Sequence, residues 1–202
     1  MLDRQAIGLL RPALARAAKG LAAWGIQADH ITLLGFAIGL GAAGAIVAQQ
    51  FSVGLPLLLL SRLCDGLDGA LARLSAPTDR GAFLDITLDF LFYAAIPLAF
   101  AGADPAANAL AAAVLLAAFI GTATTFLAFA VLAAQRGLKS DAYPGKGIYY
   151  LGGLTEATET LVCFVAMCLW PSYFPVLALG FAALCALTIA TRLWAGWRVL
   201  SS

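Results

Sequence analysis

Charge is what this sequence has least of. Only 11% of its 202 residues are Asp, Glu, Lys or Arg, against 62% that are hydrophobic. A soluble domain carries about 25% charged residues, so the shortage excludes a soluble globular chain and points to an integral membrane protein. Basic tracts are missing as well, and a net charge of +1 offers no footprint for nucleic acid. The single histidine, His30, cannot build an imidazole metal cluster, and its place beside Asp29 suggests interfacial solvation. Cysteine is present four times, as Cys64, Cys163, Cys168 and Cys185, but never as a CxxC pair. That removes thiolate zinc sites and redox pairs and leaves small buried hydrophobes. The N-terminus, Met-Leu-Asp-Arg-Gln, runs into a mixed amphipathic segment, so no cleavable signal peptide is expected.

What is there in quantity is apolar runs. Residues 2–22 set Leu9, Leu10, Leu14, Ala15 and Leu21 among Arg4, Arg11, Arg16 and Lys19, the pattern of a helix lying on a membrane surface. Asp29 is the expected N-cap of the helix that follows. Apolar spans then run roughly over 31–49, 52–74, 81–101, 108–134, 147–170 and 173–198, each near the ~20 residues a crossing needs. The expected fold is an all-α integral membrane protein: one domain over residues 1–202, with a surface helix and turn in 1–30 and a six-helix bundle in 31–198. Six spans put both ends on one side. Lysine and arginine fall at the N-terminal segment, at Arg73 and Arg80, at Arg136, Lys139 and Lys146, and at Arg192 and Arg198. The opposite turns, at Gln49-Gln50, 102–108 and 170–173, carry none. The positive-inside rule then puts both termini and the 74–80 turn in the cytoplasm of a multi-pass inner-membrane protein. Trp24, Trp194 and Trp197 suit the inner interface and Trp170 the outer. Gly35 and Gly39 form a GxxxG, a pattern of close helix packing.

Against this background, four aspartates stand inside apolar runs. Asp65, Asp68, Gly69, Ala72 and Arg73 share one helix face at i, i+3, i+4, i+7, i+8, and Asp85 and Asp89 share a face of the next segment at i, i+4. A carboxylate in hydrocarbon costs several kcal/mol unless something offsets it. Two adjacent helices could aim all four at one point, where a hard divalent cation, Mg²⁺ or Mn²⁺, would relieve their repulsion. A second reading is open on these residues alone: the aspartates as a proton or cation path in a transporter.

The pattern D-x-x-D-G-x-x-A-R, seven residues, then G-x-x-x-D-x-x-x-D resembles the signature of the CDP-alcohol phosphatidyltransferases. Asp65, Asp68, Gly69, Ala72, Arg73, Gly81, Asp85 and Asp89 fill every fixed position, and Gly25-Ile26, Asp29 and Thr32 echo the family's approach to its first span. The resemblance implies a surface helix before six spans, a homodimer, and transfer of a phosphatidyl group from CDP-diacylglycerol to an alcohol with release of CMP. It further implies two metal ions held by Asp65, Asp68 and Asp85, with Asp89 sharing in coordination and serving as general base. Donor contacts would come from Asp29, Thr32, Asp65, Asp68, Gly69, Ala72, Arg73, Thr78 and Gly81.

The acceptor must be sought in the later spans. Glu156 and Glu159 would lie about 13 and 18 Å into a helix beginning near Gly147, the first of them at the depth of the aspartates. Glu156 is either a buried glutamate satisfied by Thr155, Thr158 or a neighbouring helix, or an acceptor contact. Among the basic residues, Lys146 and Arg192 are acceptor candidates, with Arg192 expected to point inward. The stretch Leu84-Asp85-Ile-Thr-Leu-Asp89-Phe90 lacks the L-D-P-x-x-D-K of glycerol-phosphate-type members and the Cys-Asp-Arg ending of inositol-phosphate-type ones. Asp104 and Asp141 read as solvated loop residues.

Overall fold

The long apolar runs fold as helices, the conformation that satisfies backbone polar groups within one segment where water is absent. The computed structural model describes residues 2–75, 78–137 and 153–201, the first ten of these by backbone alone. The order is α1 (Leu2–Ala23), α2 (Ala28–Val47), α3 (Phe51–Ala72), α4 (Asp79–Ala103), α5 (Pro105–Gln135), α6 (Ala157–Leu169), a 3-10 turn (Pro171–Tyr173) and α7 (Phe174–Leu200). No strand occurs among the described residues.

Four stretches are long and apolar enough to cross a membrane: α2, α4, α5, and the 3-10 turn continued by α7. Helix α3 has the length, 22 residues, but carries Arg62, Asp65 and Asp68 together, so composition alone does not single it out. Helix α6 has 13 residues, short of the ~20 of a full crossing. The expected fifth helix from 147 is corrected here: residues 153–156 are not helical, and 147–152 lie outside the described residues. The reason is local. Glu156 caps α6, and the backbone N–H of Glu156 donates to Glu159 Oε2 at 3.2 Å, which satisfies orphan groups at a new helix start.

The α2 start is corrected too. Its N-cap is Gln27 rather than Asp29, and the Gln27 N–H donates to His30 Nδ1 at 3.3 Å. His30, read from sequence as solvated, thus serves the helix end. Thr78 caps α4 by accepting from the Gly81 N–H at 3.1 Å. Asp104, expected to be merely solvated, caps α5 through Ala107 N–H at 3.1 Å. Asp141 lies outside the described residues.

Long-range contacts at the helix ends fix which ends lie together. Gln49 Nε2 donates to the Ala103 carbonyl at 2.8 Å, joining the C-terminal ends of α2 and α4. At the other end, Arg80 pairs with Asp29, and Arg136 Nη1 donates to the Leu200 carbonyl at 2.7 Å. Between them lies a core of Phe92, Ile96, Phe100, Leu115, Phe164, Phe174 and their neighbours. Its rings stack, Phe100 on Phe174 with centroids 4.6 Å apart and Phe51 on Phe100 at 5.7 Å. A smaller cluster seats α1 on α3, with Ala18 among Leu14, Leu21, Leu67, Ala70 and Leu71. Many large apolar side chains remain exposed on the outside, among them Leu110, Ile120, Val162, Val176 and Leu193, as a lipid-facing surface requires and a water-facing one avoids.

The Gly35/Gly39 pair packs inside the helix bundle. A Cβ on Gly35 would stand 2.8 Å from Cys64 Cβ, and one on Gly39 would stand 2.6 Å from the Phe92 ring and 2.9 Å from Ser61 Oγ. The GxxxG face therefore packs on α3 and α4 of the same chain. Ser61 Oγ donates to the Gly35 carbonyl at 2.7 Å, locking this close approach beside the aspartates.

Candidate active site

Helix periodicity does bring the motif carboxylates of α3 and α4 together, but not all four in one set. Ligand oxygens of Asp65, Asp68 and Asp85 lie within 4.8 Å of one another. With Thr32, Gly35, Ser61, Arg62 and Asp89 these residues line a narrow cavity between α2, α3 and α4. Asp68 is the buried member, 4% exposed, and its Oδ2 is enclosed without a hydrogen-bond partner. An orphaned carboxylate oxygen facing two further carboxylates is what a hard cation's donor set looks like.

Asp89 is held apart by a residue the motif does not include. Arg62 Nη1 donates to Asp89 Oδ1 at 2.5 Å and stands 3.5 Å from Asp65 Oδ1. The Arg62 side chain is only 11% exposed. Its guanidinium carbon lies 3.7 Å over the Phe92 ring centroid and 5.5 Å from that of Tyr93, and Nη2 reaches Ser61 Oγ at 3.4 Å. A guanidinium that stays charged at any working pH thus ties the two motif helices together. A signal for it was present: an arginine three residues before Asp65, inside an apolar run, has to pair with something.

The remaining motif residues lie near the end of the helix pair where α3 closes and α4 begins. Ala72 closes α3, and exposed Arg73 caps it. Arg73 folds back, its Nη1 3.5 Å from where a Cβ on Gly69 would stand. Thr32 Oγ1 donates to the Ala28 carbonyl at 3.1 Å and also lines the aspartate cavity. Gly81 lies where a side chain would meet both Thr78 Oγ1, at 3.1 Å, and Asp29 Oδ1, at 3.2 Å. Asp29, Thr78 and Gly81 are therefore neighbours in space, joined by Arg80.

A second, larger cavity of about 480 Å³ opens between α4, α5, α6 and α7. Phe90, Leu116, Phe119, Ile120 and Phe126 give it apolar walls, and Glu156 and Arg192 bring ionisable groups to it. Arg192 is buried, with Nη1 donating to the Thr122 carbonyl at 3.1 Å; the inward direction expected for it is observed. Glu156 is also buried, its Oε1 accepting from the Gly153 N–H at 3.1 Å. Thr155 hydrogen-bonds Thr188 of α7. Lys146, the third acceptor candidate, lies outside the described residues, as does Lys139. Among the described residues Asp89 alone lines both cavities.

The family model for CDP-alcohol phosphatidyltransferase matches residues 26–195. The chain belongs to that family. Inner membrane protein YnjF of Escherichia coli (strain K12) is 50% identical over 202 residues, 100% of this chain and 98% of that one. An archaetidylinositol phosphate synthase of Methanothermobacter thermautotrophicus is 43% identical over 67 residues, 33% of this chain and 34% of its own. In three dimensions the chain is similar to the Mycobacterium tuberculosis phosphatidylinositol phosphate synthase PgsA1 with CDP-DAG bound. That likeness has a TM-score of 0.70 and 24% identity, over 91% of this chain and 93% of the other. The manganese and citrate complex of the same enzyme gives a TM-score of 0.68 at 24% identity, over 91% and 88%. At that identity the likeness is one of fold. As a CDP-alcohol phosphatidyltransferase the chain is an integral membrane enzyme of phospholipid synthesis, and the matched range includes the α3–α4 aspartates.

Proposed function

We propose that the chain transfers a phosphatidyl group from CDP-diacylglycerol to the hydroxyl of an alcohol and releases CMP, on a divalent-ion site made by Asp65, Asp68 and Asp85. The observation that carries this reading is the position of Asp89 in the wall between the aspartate cavity and the 480 Å³ cavity. A carboxylate there can take the proton from a hydroxyl presented in the larger cavity, toward a phosphorus held over the aspartates. CDP-DAG and manganese, bound in structures of the mycobacterial enzyme, are the donor and ion type that this reading brings to the chain.

The donor set is oxygen-only, which suits Mg²⁺ or Mn²⁺, and the enclosed Asp68 Oδ2 has a use in it. An ion bound there would neutralise pyrophosphate oxygens and stabilise CMP as it leaves. The rest falls to the chain's own groups. Arg73 offers a planar fork to phosphate, and Gly69 leaves the α3 backbone open to the nucleotide. Asp29, Thr32, Ala72, Thr78 and Gly81 line the nucleotide's approach. In the larger cavity, Arg192 meets an anionic group on the acceptor, while Glu156 accepts from its hydroxyls or holds an ammonium group. Lys146 is a third acceptor contact in this reading.

The reaction runs at the cytoplasmic face. Arg73, Arg80, Arg136 and Arg198 all belong to the helix ends on the aspartate side, and the opposite turns carry no lysine or arginine. A homodimer belongs to the reading as well, with its contacts on α4 and α5, since the Gly35/Gly39 face is used internally.

The test is direct. Purified protein is incubated with labelled CDP-diacylglycerol, Mn²⁺ and a panel of alcohols, and the product lipid is identified by mass. A new phospholipid with one CMP released per lipid is expected. The reading fails if no acceptor yields CMP and if neither CDP nor CMP with Mn²⁺ raises the melting temperature; a cation path would then be the better account of the aspartates.

A further inference from the structure

The larger cavity changes character along its length. Asp89 and Arg192 mark the part nearer the Arg80 and Arg136 end of the bundle. Measured from that end, Asp89 is about 15 Å along α4 and Arg192 about 12 Å along α7. The lining continues well past them, to Ala94 and Cys185 at about 22 Å and to Leu116 at about 28 Å. The deeper walls are mostly hydrocarbon, with Leu116, Phe119 and Ile120 supplied by α5. The threonines that line the cavity donate within the protein: Thr122 to the Phe119 carbonyl, Thr155 to Thr188 and Thr160 to the Glu156 carbonyl, each at 2.9 Å. A polyol filling this depth would give up water to walls that return few hydrogen bonds. An acyl chain has nothing to give up there.

The charged end is built around one fixed cation. Arg192 Nη1 donates to the Thr122 carbonyl at 3.1 Å, and its guanidinium carbon lies 5.8 Å from the Phe126 ring centroid. A Cβ on Gly153 would stand 3.1 Å from Nη2, so a bare backbone lies against the guanidinium. A planar cation held in this way suits a phosphate. The cavity also has a side opening. Ile120 and Ala157 line it and are exposed on the outside of the bundle, Ile120 to 69%. Ile120 is about 22 Å from the end of α5, at a depth where a membrane offers acyl chains. At about 480 Å³ the space takes a headgroup and part of one chain, and the side opening lets the rest lie in the bilayer.

We propose that the acceptor is itself a membrane lipid: an anionic phospholipid with a free headgroup hydroxyl. Its phosphate meets Arg192, its hydroxyl meets Asp89, and one chain runs along Phe119 and Ile120. This rests on the transfer reading above and names its acceptor class. The hydroxyl oxygen forms a bond to the phosphatidyl phosphorus of the donor. The bond from that phosphorus to the bridging oxygen of the pyrophosphate breaks, and CMP leaves with the electron pair. Asp89 takes the proton. The product carries two phosphatidyl groups on one alcohol.

The test compares acceptors. Purified full-length protein is given labelled CDP-diacylglycerol, Mn²⁺ and one acceptor at a time. Phosphatidylglycerol, phosphatidylinositol and neutral diacylglycerol are supplied in mixed micelles, and glycerol phosphate, inositol phosphate and serine in solution. CMP release and product mass are read. One of the two anionic lipids is expected to react with a kcat/KM about 10-fold or more above diacylglycerol and the soluble alcohols. Ile120→Trp narrows the side opening at an exposed position. It should raise KM for that lipid about 10-fold and leave donor KM, and thermal protection by CMP with Mn²⁺, unchanged. If Ile120→Trp does not fold, Leu116→Phe, which obstructs the cavity deeper, and the wild-type comparison decide. A soluble alcohol or diacylglycerol used as well as the anionic lipids overturns the inference and leaves the transfer reading intact. So does an Ile120→Trp that raises donor KM instead, since the wall then holds the donor's chain, or one that moves neither constant. No CMP released with any acceptor, and no thermal protection by CMP with Mn²⁺, overturns both.

Discussion

Arg80 Nη2 lies 2.5 Å from Asp29 Oδ2, with Nε of the same side chain at 3.2 Å. The pair bridges the first turns of α2 and α4 and holds Asp29 against Gly81. The Arg80 side chain is 80% exposed, so the pair contributes at most about 1 kcal/mol to stability. Arg80→Ala is expected to leave the melting temperature nearly unchanged but to raise KM for the CDP-linked donor, because Asp29 loses its fixed position. A lowered melting temperature with unchanged donor KM would make the pair a structural clasp only.

Asp89→Asn removes the base while keeping the size of the side chain. The expected result is a fall in kcat of about 100-fold or more, with CMP and Mn²⁺ still protecting the protein against heat. Normal turnover in this variant would falsify the general-base assignment.

Arg73→Lys tests the donor contact. An ammonium cannot reproduce the bidentate grip of a guanidinium on phosphate, so donor KM should rise while acceptor KM holds. Arg73 is exposed at the end of α3, and a change in melting temperature is not expected. An unchanged donor KM removes Arg73 from the site.

Glu156→Gln keeps a carbonyl oxygen for the Gly153 N–H while removing the charge that faces the large cavity. Acceptor preference or acceptor KM should shift more than donor KM. If the melting temperature falls and the kinetic constants do not move, the side chain serves only the α6 start.

Gly39→Ala adds one methyl where the nearest ring atom stands 2.6 Å away. Overpacking of this kind costs about 1–3 kcal/mol, so a clear loss of thermal stability in detergent is expected. Oligomeric state, measured by light scattering, should not change, because Gly39 is buried within the chain's own bundle.

The helical segments and the shared face of Asp65 and Asp68 were legible because both follow from period alone: apolar runs near crossing length, and carboxylates three residues apart. That Asp85 joins them depends on how α4 packs against α3. Asp89 shows where that ends. Its spacing from Asp85 is correct for a shared face, but its observed partner is Arg62 on another helix, and periodicity within one helix carries no information about partners on the next. Gly39 shows the same limit. GxxxG announces close packing, yet only the fold says that the packed neighbours are Phe92 and Ser61. Glu156 was misplaced for a different reason. Apolar composition ran on through Gly152-Gly153, and the Glu156/Glu159 capping pattern, visible in the sequence, was outweighed by it.

Helix α3 carries Arg62, Asp65 and Asp68 within 22 residues, and each such charge opposes insertion by up to about 3 kcal/mol at the centre of a bilayer. Alone, α3 is a poor candidate for release from a translocon into lipid. With α4 beside it, Arg62 finds Asp89 and the opposition falls. The two helices that carry the signature are therefore expected to partition as a hairpin, and the arginine that organises the finished site also makes the order of biogenesis matter: α3 must wait for α4.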